Sequence, residues 1–339
     1  MRFGLDEMPA ALRDAVAGLL AAEVSPQVIR AGWPGGNADL VASVWRLLAG
    51  VGAAGTLVAA DHGGLGLDET SLVPLAEELG RSGLPGPFAE TVAVAAPLLS
   101  TTDDDIAGRH LAGVLAGQVL VAAQLGDEAL VPYGSRAQLI LLRADDGLRL
   151  YERAALDLEP CATVDGSLAT ARLRSRPTAG GMLVTPDPAV IETAWHHGVL
   201  ATAALLTGLA GRMLDITVDY VKQREQFGVP IGSFQAIKHA LANALVAVEF
   251  ARPLTLAAAW AQAADSADAG PRTSAAKIAT AEAAQLVART AVQCHGAIGY
   301  TTEYDLHLFA KRVWALVPGW GGPNWHRARL ASFLGVAGD

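Results

Sequence analysis

The first third of the chain repeats apolar residues with the period of an amphipathic helix. Leu12, Val16 and Leu20 follow one another at intervals of four residues, and Leu72, Leu75 and Leu79 continue the pattern further along. Intervals of three and four residues place side chains on one face of a helix. Glycine and proline clusters break this pattern at Gly32–Gly36, His62–Gly66 and Gly83–Pro87. We therefore predict an N-terminal helical domain over residues 1–116, made of several helices joined by loops.

Between Gln118 and Arg176 the pattern shortens to that of β-strands. Apolar runs such as AQLILLRA and GLRLYERA are separated by turn residues, among them Asp145-Asp146-Gly147. Short runs bounded by Asp and Gly are typical of strands joined by tight turns. We predict a small β domain over residues 117–180, which depends on its helical neighbours because so small a region buries little core of its own.

From Asp187 onward the helical period returns in longer, alanine-rich stretches. These lie at Val190–Lys222, Phe234–Ala264, Pro271–His295, Tyr304–Val317 and Asn324–Leu334. Several of them are apolar on more than one side, which favours a helical bundle over residues 181–339 that also buries surface between subunits. The predicted fold class is mostly α with a small middle β domain.

Composition narrows the classes of partner. The chain is 52% apolar and carries a net charge of −9. This balance disfavours nucleic acids and anionic membranes as partners, since both attract clustered Lys and Arg.

Cys161 and Cys294 lie far apart in sequence, which indicates neither a disulfide framework nor a zinc site and fits a reducing cytoplasm. Polar residues are expected to interrupt each apolar stretch before the roughly 20 residues of a membrane span, and no basic region opens the chain. We expect a cytoplasmic protein.

Two segments of the C-terminal third combine residue types that suit a nucleotide cofactor. They read R-E-Q-F-G-V-P-I-G-S-F-Q at 224–235 and Q-C-H-G-A-I-G-Y at 293–300. An arginine beside a Phe-Gly turn suits a diphosphate, because the guanidinium fork pairs with phosphate oxygens. Gln293, Gly296 and Gly299 offer an amide group and close backbone approach. Taken singly, each residue also fits an ordinary helix cap or tight packing.

These segments resemble the R-x-x-F-G-x-x-(I/L)-x-x-x-Q and Q-x-x-G-(G/A)-x-G-(Y/F)-x-x-E-Y motifs of the acyl-CoA dehydrogenase family. A weaker likeness, G-G-L-G-L at 63–67 followed by E-E-L-G at 77–80, extends the resemblance to the first domain. The resemblance implies an α–β–α fold and FAD as cofactor, with both segments holding the diphosphate and adenosine of the neighbouring subunit's flavin. On that resemblance the cofactor-binding residues are Arg224, Phe227, Gln235, Gln293, Gly296 and Gly299.

The family's catalytic glutamate has no counterpart at either position where the family carries it. An ungapped count from Gly299 places the family's E-G-T segment on Trp320-Gly321-Gly322, and a count back from Gly228 places the alternative glutamate on Gly198. Removal of the α proton of a thioester needs a base, which neither tryptophan nor glycine supplies. Glu192 is the remaining candidate, and it also fits a solvated first-turn glutamate favoured by the helix dipole.

The β region departs from the family as well. The T-E-P-x-x-G-S-D and W-I-T segments that line the flavin ring in the family are missing. A chain that keeps the neighbour's half of the FAD site and lacks its own half resembles the small, degenerate subunit of heteromeric acyl-CoA dehydrogenases. That resemblance implies α,β-dehydrogenation of an acyl-CoA thioester, such as one from a steroid side chain. It also implies a catalytic partner subunit, an α2β2 heterotetramer and one FAD per heterodimer. Two alternatives remain open, a self-sufficient flavin monooxygenase of the same fold and a structural partner that binds no flavin.

Overall fold

The N-terminal region is helical, as the apolar period predicts. The computed structural model describes residues 4–102, 105–178 and 180–336. Its first elements are α1 (Glu7–Glu23), α2 (Pro26–Ala31), α3 (Ala38–Gly50), α4 (Glu69–Ser82), a π-helix (Ala89–Ala95), α5 (Ala96–Ser100) and α6 (Asp105–Leu115). Leu12, Val16 and Leu20 form the buried face of α1. The Asn37 side chain accepts a hydrogen bond from the Asp39 amide and so caps α3.

The middle region forms two small sheets. Its strands are β1 (Val121–Gln124), β2 (Leu130–Val131), β3 (Leu139–Ala144), β4 (Gly147–Glu152), β5 (Leu158–Pro160), β6 (Ala171–Leu173) and β7 (Met182–Thr185). One sheet has the order β1-β3-β4-β7, in which only the β1–β3 pair is parallel, and the other has the antiparallel order β2-β6-β5. The Thr91 hydroxyl bonds both the amide and the carbonyl of Val121 at 2.9 Å, which ties the π-helix to β1.

The C-terminal region consists of long helices and one short hairpin. In order these are α7 (Pro188–Gln223), β8 (Glu225–Gln226), β9 (Val229–Pro230), α8 (Gln235–Ala263), α9 (Ala269–His295), α10 (Leu306–Leu316) and α11 (Pro323–Phe333). Each predicted helix end lies within two residues of the observed one. The predicted fold class, helical at both ends with a small β region between, is confirmed.

The chain divides into two compact units. One contains Leu5–Leu75 and Leu84–Ala201, and the other contains Ala76–Gly83 and the described residues from Thr202 onward. Points of division therefore fall inside α4 and α7. The boundaries at residues 116/117 and 180/181 stay a prediction.

α7 and α8 are long and apolar enough to cross a membrane by length and composition alone. The expectation that polar residues interrupt every apolar stretch is wrong for these two helices. No Asp, Glu, Lys or Arg lies between Glu192 and Arg212, so the mean hydropathy of α7 stays high despite its polar residues. Core helices pass the same test, and 72% of the apolar window of α7 is buried in the fold, against 39% for α8. α8 therefore keeps an exposed apolar face.

Two glycines let the second half of α4 lie directly against α7. A Cβ atom at Gly80 would overlap the carbonyl of Leu205, and one at Gly208 would overlap the carbonyl of Glu77. Because both obstacles are backbone atoms, a side chain at either position can be accommodated only if the helices separate. Glycine is thus required at these positions for packing, although it lowers helix propensity.

Gly208→Ala is expected to lower the stability by about 1–3 kcal/mol, the usual range for overpacking, despite its gain in helix propensity. The matched control is Gly18→Ala on α1, where a Cβ would meet no atom within 4 Å. That change is expected to raise the stability by about 0.5–1 kcal/mol. Thermal unfolding followed by circular dichroism compares the two variants, and a Gly208→Ala chain that melts with or above the wild type contradicts the close approach.

Candidate functional site

The first predicted cofactor segment forms a tight hairpin directly after α7. β8 pairs with β9 through Glu225 opposite Pro230 and Gln226 opposite Val229, so the loop between them is only Phe227-Gly228. The Ile231 amide donates to the Arg224 carbonyl at 2.8 Å and closes the base of the hairpin. Arg224 therefore lies where the helix ends and the hairpin begins, as the sequence predicts.

The tip of this hairpin is strained and exposed. Phe227 and Gly228 have φ values of +53° and +79°, the positive pair that a two-residue type I′ turn requires. A left-handed conformation costs a bulky residue about 1–3 kcal/mol, and such strain clusters at binding sites. The Phe227 side chain is nevertheless 95% exposed, with its ring in an edge-on arrangement with Phe234 at 6.2 Å between ring centroids. A side chain so exposed to solvent gains little burial among the described residues to offset the cost of this conformation.

The second predicted segment lies at the C-terminal end of α9. Gln293 is exposed in the last turn of the helix, and Gly296 ends the helix with φ +64° and ψ −141°, a conformation open mainly to glycine. A Cβ at Gly296 would meet no atom within 4 Å, so its backbone is open to an incoming group. Gly299 differs, since it is buried and a Cβ there would lie 3.0 Å from His295 Cβ. A side chain at Gly299 would require His295 to shift, and the cofactor role of this glycine stays a prediction.

Three aromatic rings fasten the two segments to each other. Tyr220, one turn before Arg224 on α7, stacks on His295 at 4.2 Å between centroids. Tyr304 lies 4.9 Å from His295 and 5.7 Å from Tyr220. The Tyr220 backbone carbonyl accepts the Arg224 amide, and its hydroxyl lies 3.4 Å from the His295 carbonyl. Sequence reasoning missed Tyr220, although its spacing of four from Arg224 is a usable signal.

His295 contributes packing to this cluster. Burial lowers its pKa, against the opposing effect of a hydrogen bond from Nδ1 to the Ala291 carbonyl at 2.7 Å. The imidazole is therefore neutral near pH 7. Among the described residues its Nε2 has no hydrogen-bond partner, which suits an aromatic spacer between Tyr220 and Tyr304 better than an acid or base.

A groove of about 680 Å³ runs between α9 and the start of α11. Its α9 wall includes Gln285 and Arg289, and Trp325 lies on the opposite side. Arg289 precedes Gln293 by four residues and so shares its helical face. Arg289 is exposed, so the face of α9 that carries Gln293 also carries an arginine, in addition to Arg224 at the end of α7. Sequence reasoning missed this residue too.

The positions expected for a catalytic carboxylate hold none. Trp320 lies between α10 and α11 with φ +57°, and Gly198 is buried within α7. Glu192 lies in the first part of α7, where its carboxylate is 3.2 Å from His196 Nε2, one turn further along. Burial lowers the pKa of His196, so this contact is not a full ion pair near pH 7. Glu192 is bound to its own helix.

The donor set fits an anionic nucleotide cofactor. Arg224 is exposed, and no described carboxylate forms an ion pair with it. An uncompensated guanidinium beside an open glycine backbone and an exposed amide is the combination that a diphosphate recognises. Gln235, the first residue of α8, is exposed and follows the hairpin closely in sequence. In contrast, the residues described at β1 to β7 supply no equivalent of the family's ring-lining segments.

Comparisons with known proteins identify the family and the fold of the chain. The profile of the acyl-CoA dehydrogenase N-terminal domain matches residues 6–118, and that of the C-terminal domain matches residues 189–334. Acyl-CoA dehydrogenase IpdE2 of Mycobacterium tuberculosis is 35% identical over 305 residues, 89% of each chain. A variant of the Tcur3481-Tcur3483 steroid ACAD superposes with a TM-score of 0.83 at 26% identity, covering 97% of this chain and 98% of that one.

A more distant structure shares the fold alone. The ChsE4-ChsE5 complex of Mycobacterium tuberculosis superposes with a TM-score of 0.81 at 22% identity, with both chains fully covered. Together, two matched domains and a relative that is similar over nearly its whole length confirm the likeness first indicated by the segments at Arg224 and Gln293. The chain belongs to the acyl-CoA dehydrogenase family of oxidoreductases.

Proposed function

We propose that this chain is the FAD-lending subunit of a heteromeric acyl-CoA dehydrogenase. It supplies the neighbour half of the FAD site to a catalytic partner subunit. The observation that carries the proposal is the exposed, strained Phe227-Gly228 turn beside the uncompensated Arg224. A conformation that costs free energy within the chain is explained if a ligand on a second subunit compensates for it.

Each residue of the half-site has a distinct role. Arg224 pairs its guanidinium fork with the diphosphate of FAD, and Phe227 provides an aromatic surface. Gln293 donates its side-chain amide, and the open backbone at Gly296 permits close approach. Gln235 adds a second amide at the start of α8, whereas Gly299 keeps the end of α9 compact. Tyr220 and His295 position the two segments relative to each other.

The reaction removes two hydrogens from an acyl-CoA thioester. When FAD is bound, it would accept the hydride that leaves the β carbon. The base that takes the α proton comes from the partner, since Trp320 and Gly198 replace the family's carboxylate in this chain. A bulky thioester, such as one from a steroid side chain, is the proposed substrate class, and the similarity to a steroid ACAD supports it.

The exposed apolar face of α8 is the proposed contact with the partner subunit. Leu245, Val246, Phe250 and Leu254 are each at least 41% exposed, and Phe250 is 74% exposed. Val246, Phe250 and Leu254 follow at intervals of four residues and so lie on one face of the helix, and an exposed apolar face marks an interaction surface. α8 begins at Gln235, so this face lies on the same helix as one residue of the proposed half-site. The proposed assembly is an α2β2 heterotetramer with one FAD per heterodimer, located in the cytoplasm, with no nucleic acid or membrane partner.

The deciding experiment is the flavin content of the chain with and without its partner. The chain is co-expressed with a candidate catalytic partner, a full-length family member that carries the ring-binding segments and the glutamate, and the purified complex is assayed for FAD per heterodimer. One FAD per heterodimer supports the proposal. A complex without flavin indicates the structural-partner alternative, and flavin with turnover in the chain alone indicates a self-sufficient flavoprotein.

Glu192→Gln is expected to leave the acyl-CoA dehydrogenase activity of that complex within a few-fold of wild type. The carboxylate contacts His196 on its own helix and is not needed as a base if the partner supplies one. Glu7→Gln is the matched control, because Glu7 is also a glutamate near the start of a helix. A loss of about a hundredfold for Glu192→Gln alone, the size expected on removing a general base, contradicts this role.

A further inference from the structure

Lys277 on α9 is completely buried, which is unusual for a lysine. Its ammonium nitrogen donates to the carbonyls of Val317 and Gly319 at 2.8 Å each and of Gly321 at 3.0 Å. An ammonium carries three N–H donors, so these three carbonyls use all of them. All three acceptors belong to the segment Val317–Gly322, which joins α10 to α11 and contains Trp320.

A second buried side chain holds the same segment. His326 of α11 is 0% exposed, with Nε2 3.0 Å from the Trp320 carbonyl and Nδ1 3.1 Å from the Ser274 hydroxyl. Because a carbonyl can only accept, Nε2 carries the hydrogen and Nδ1 accepts from Ser274. Lys277 and His326 together therefore bind the carbonyls of four of the six residues of the segment, namely Val317, Gly319, Trp320 and Gly321. They keep Trp320 in its left-handed conformation, with φ +57°.

The Lys277 charge has no counter-ion among the described residues that contact it. Burial alone lowers its pKa, to about 7, and the carbonyl acceptors favour the ammonium and oppose that shift. The other charged or titratable groups on elements packed against α9 are Tyr300 of the turn that follows it, His307, Lys311 and Arg312 of α10, His326, Arg327 and Arg329 of α11, and Lys238, His239, Glu249 and Arg252 of α8. Arg327 pairs with Glu282, and Arg252 with Glu77 and Glu249.

We propose that the Lys277 ammonium is a proton-dependent clamp that fixes the Val317–Gly322 segment. A neutral amine has two N–H donors for three carbonyls, and its lone pair faces a carbonyl oxygen. Loss of the proton therefore leaves one buried carbonyl without a donor, and the segment moves to find another partner or water. Lys277 is a positioning residue for the segment that stands where the family carries its E-G-T motif. The clamp uses only this chain's residues, so it does not depend on the proposed FAD site.

The small number of lysines makes the clamp directly testable. The chain contains four, namely Lys222, Lys238, Lys277 and Lys311. NMR of the full-length chain with isotope-labelled lysine Cε gives one titration curve for each. Incorporation of 5-fluorotryptophan gives a fluorine signal for Trp320 over the same pH series. Lys277→Met and Trp320→Phe assign the two signals.

The expected result is that Lys277 titrates far below the ordinary lysine value of 10.5 and that the Trp320 signal shifts along the same curve. The Trp320 shift disappears in Lys277→Met and persists at the same pH in Ser274→Ala, which removes only the second anchor of His326. A Trp320 signal that does not respond to pH overturns the clamp, as does one that follows His326 and survives in Lys277→Met. If Lys277→Met does not fold, Lys222→Arg, Lys238→Arg and Lys311→Arg assign the Lys277 signal by elimination, and the two wild-type midpoints decide, because separate midpoints also overturn the proposal.

Discussion

Purified without a partner, the chain is expected to be colourless or to hold far less than one FAD per chain, and to reduce no flavin with any acyl-CoA. In the proposed function, the half-site at Arg224 and Gln293 contacts only the diphosphate and adenosine side of the cofactor. The segments that line the ring in the family are missing, and no carboxylate occurs between Asp305 and the terminal Asp339. A site that lacks both the ring pocket and the base loses binding and chemistry together.

Visible absorbance and extracted-flavin analysis of the isolated chain test this expectation. Circular dichroism establishes that the isolated chain is folded, and the co-purified complex provides the positive control for flavin content. Partial flavin occupancy without turnover agrees with a half-site that retains some affinity. A yellow homo-oligomer that oxidises an acyl-CoA refutes the proposed division of labour between two subunits.

The secondary structure of the C-terminal region could be predicted from sequence because its signals are local. Amphipathic periods and their flanking breakers fix helix ends such as Gln223 and Gln235 without reference to distant residues. The π-helix at Ala89–Ala95 could not be predicted in this way, since its apolar spacing differs too little from that of an α-helix. The hairpin strands β8 and β9 are two residues each, too short to give an alternating pattern.

The sequence proposes residues for the site, and that assignment stays a prediction, but it does not indicate the contacts that support them. Family-like spacing identifies Arg224 and Gln293, but it says nothing about the Tyr220–His295 stack that joins their segments, because that contact links residues 75 positions apart. The contacts of Lys277 are likewise invisible in the sequence. A lysine in an alanine-rich helix is expected to be solvated, and only the fold shows that it donates to three carbonyls of a segment about 40 residues away.

Arg224→Ala is expected to weaken FAD binding to the complex by about tenfold to a hundredfold. The substitution removes a charge-assisted contact with the diphosphate, which contributes roughly 1.5–3 kcal/mol. The fold is expected to survive, because the exposed Arg224 side chain forms no ion pair with a described carboxylate. Its backbone contacts with Tyr220 and Ile231 remain available to alanine. Arg224→Lys is expected to recover only part of the affinity, since an ammonium keeps the charge but lacks the planar fork.

The measurement is FAD titration of the co-purified complex for the wild type and the Arg224 variants. Lys222→Ala is the matched control, because it removes an exposed positive charge two residues away on the last turn of α7. An effect of general electrostatics lowers affinity in both alanine variants and fades with added salt. A specific diphosphate contact lowers affinity mainly in Arg224→Ala. Unchanged FAD affinity in a folded Arg224→Ala complex means that this subunit lends nothing to the flavin site, and the structural-partner alternative then explains the retained motifs better.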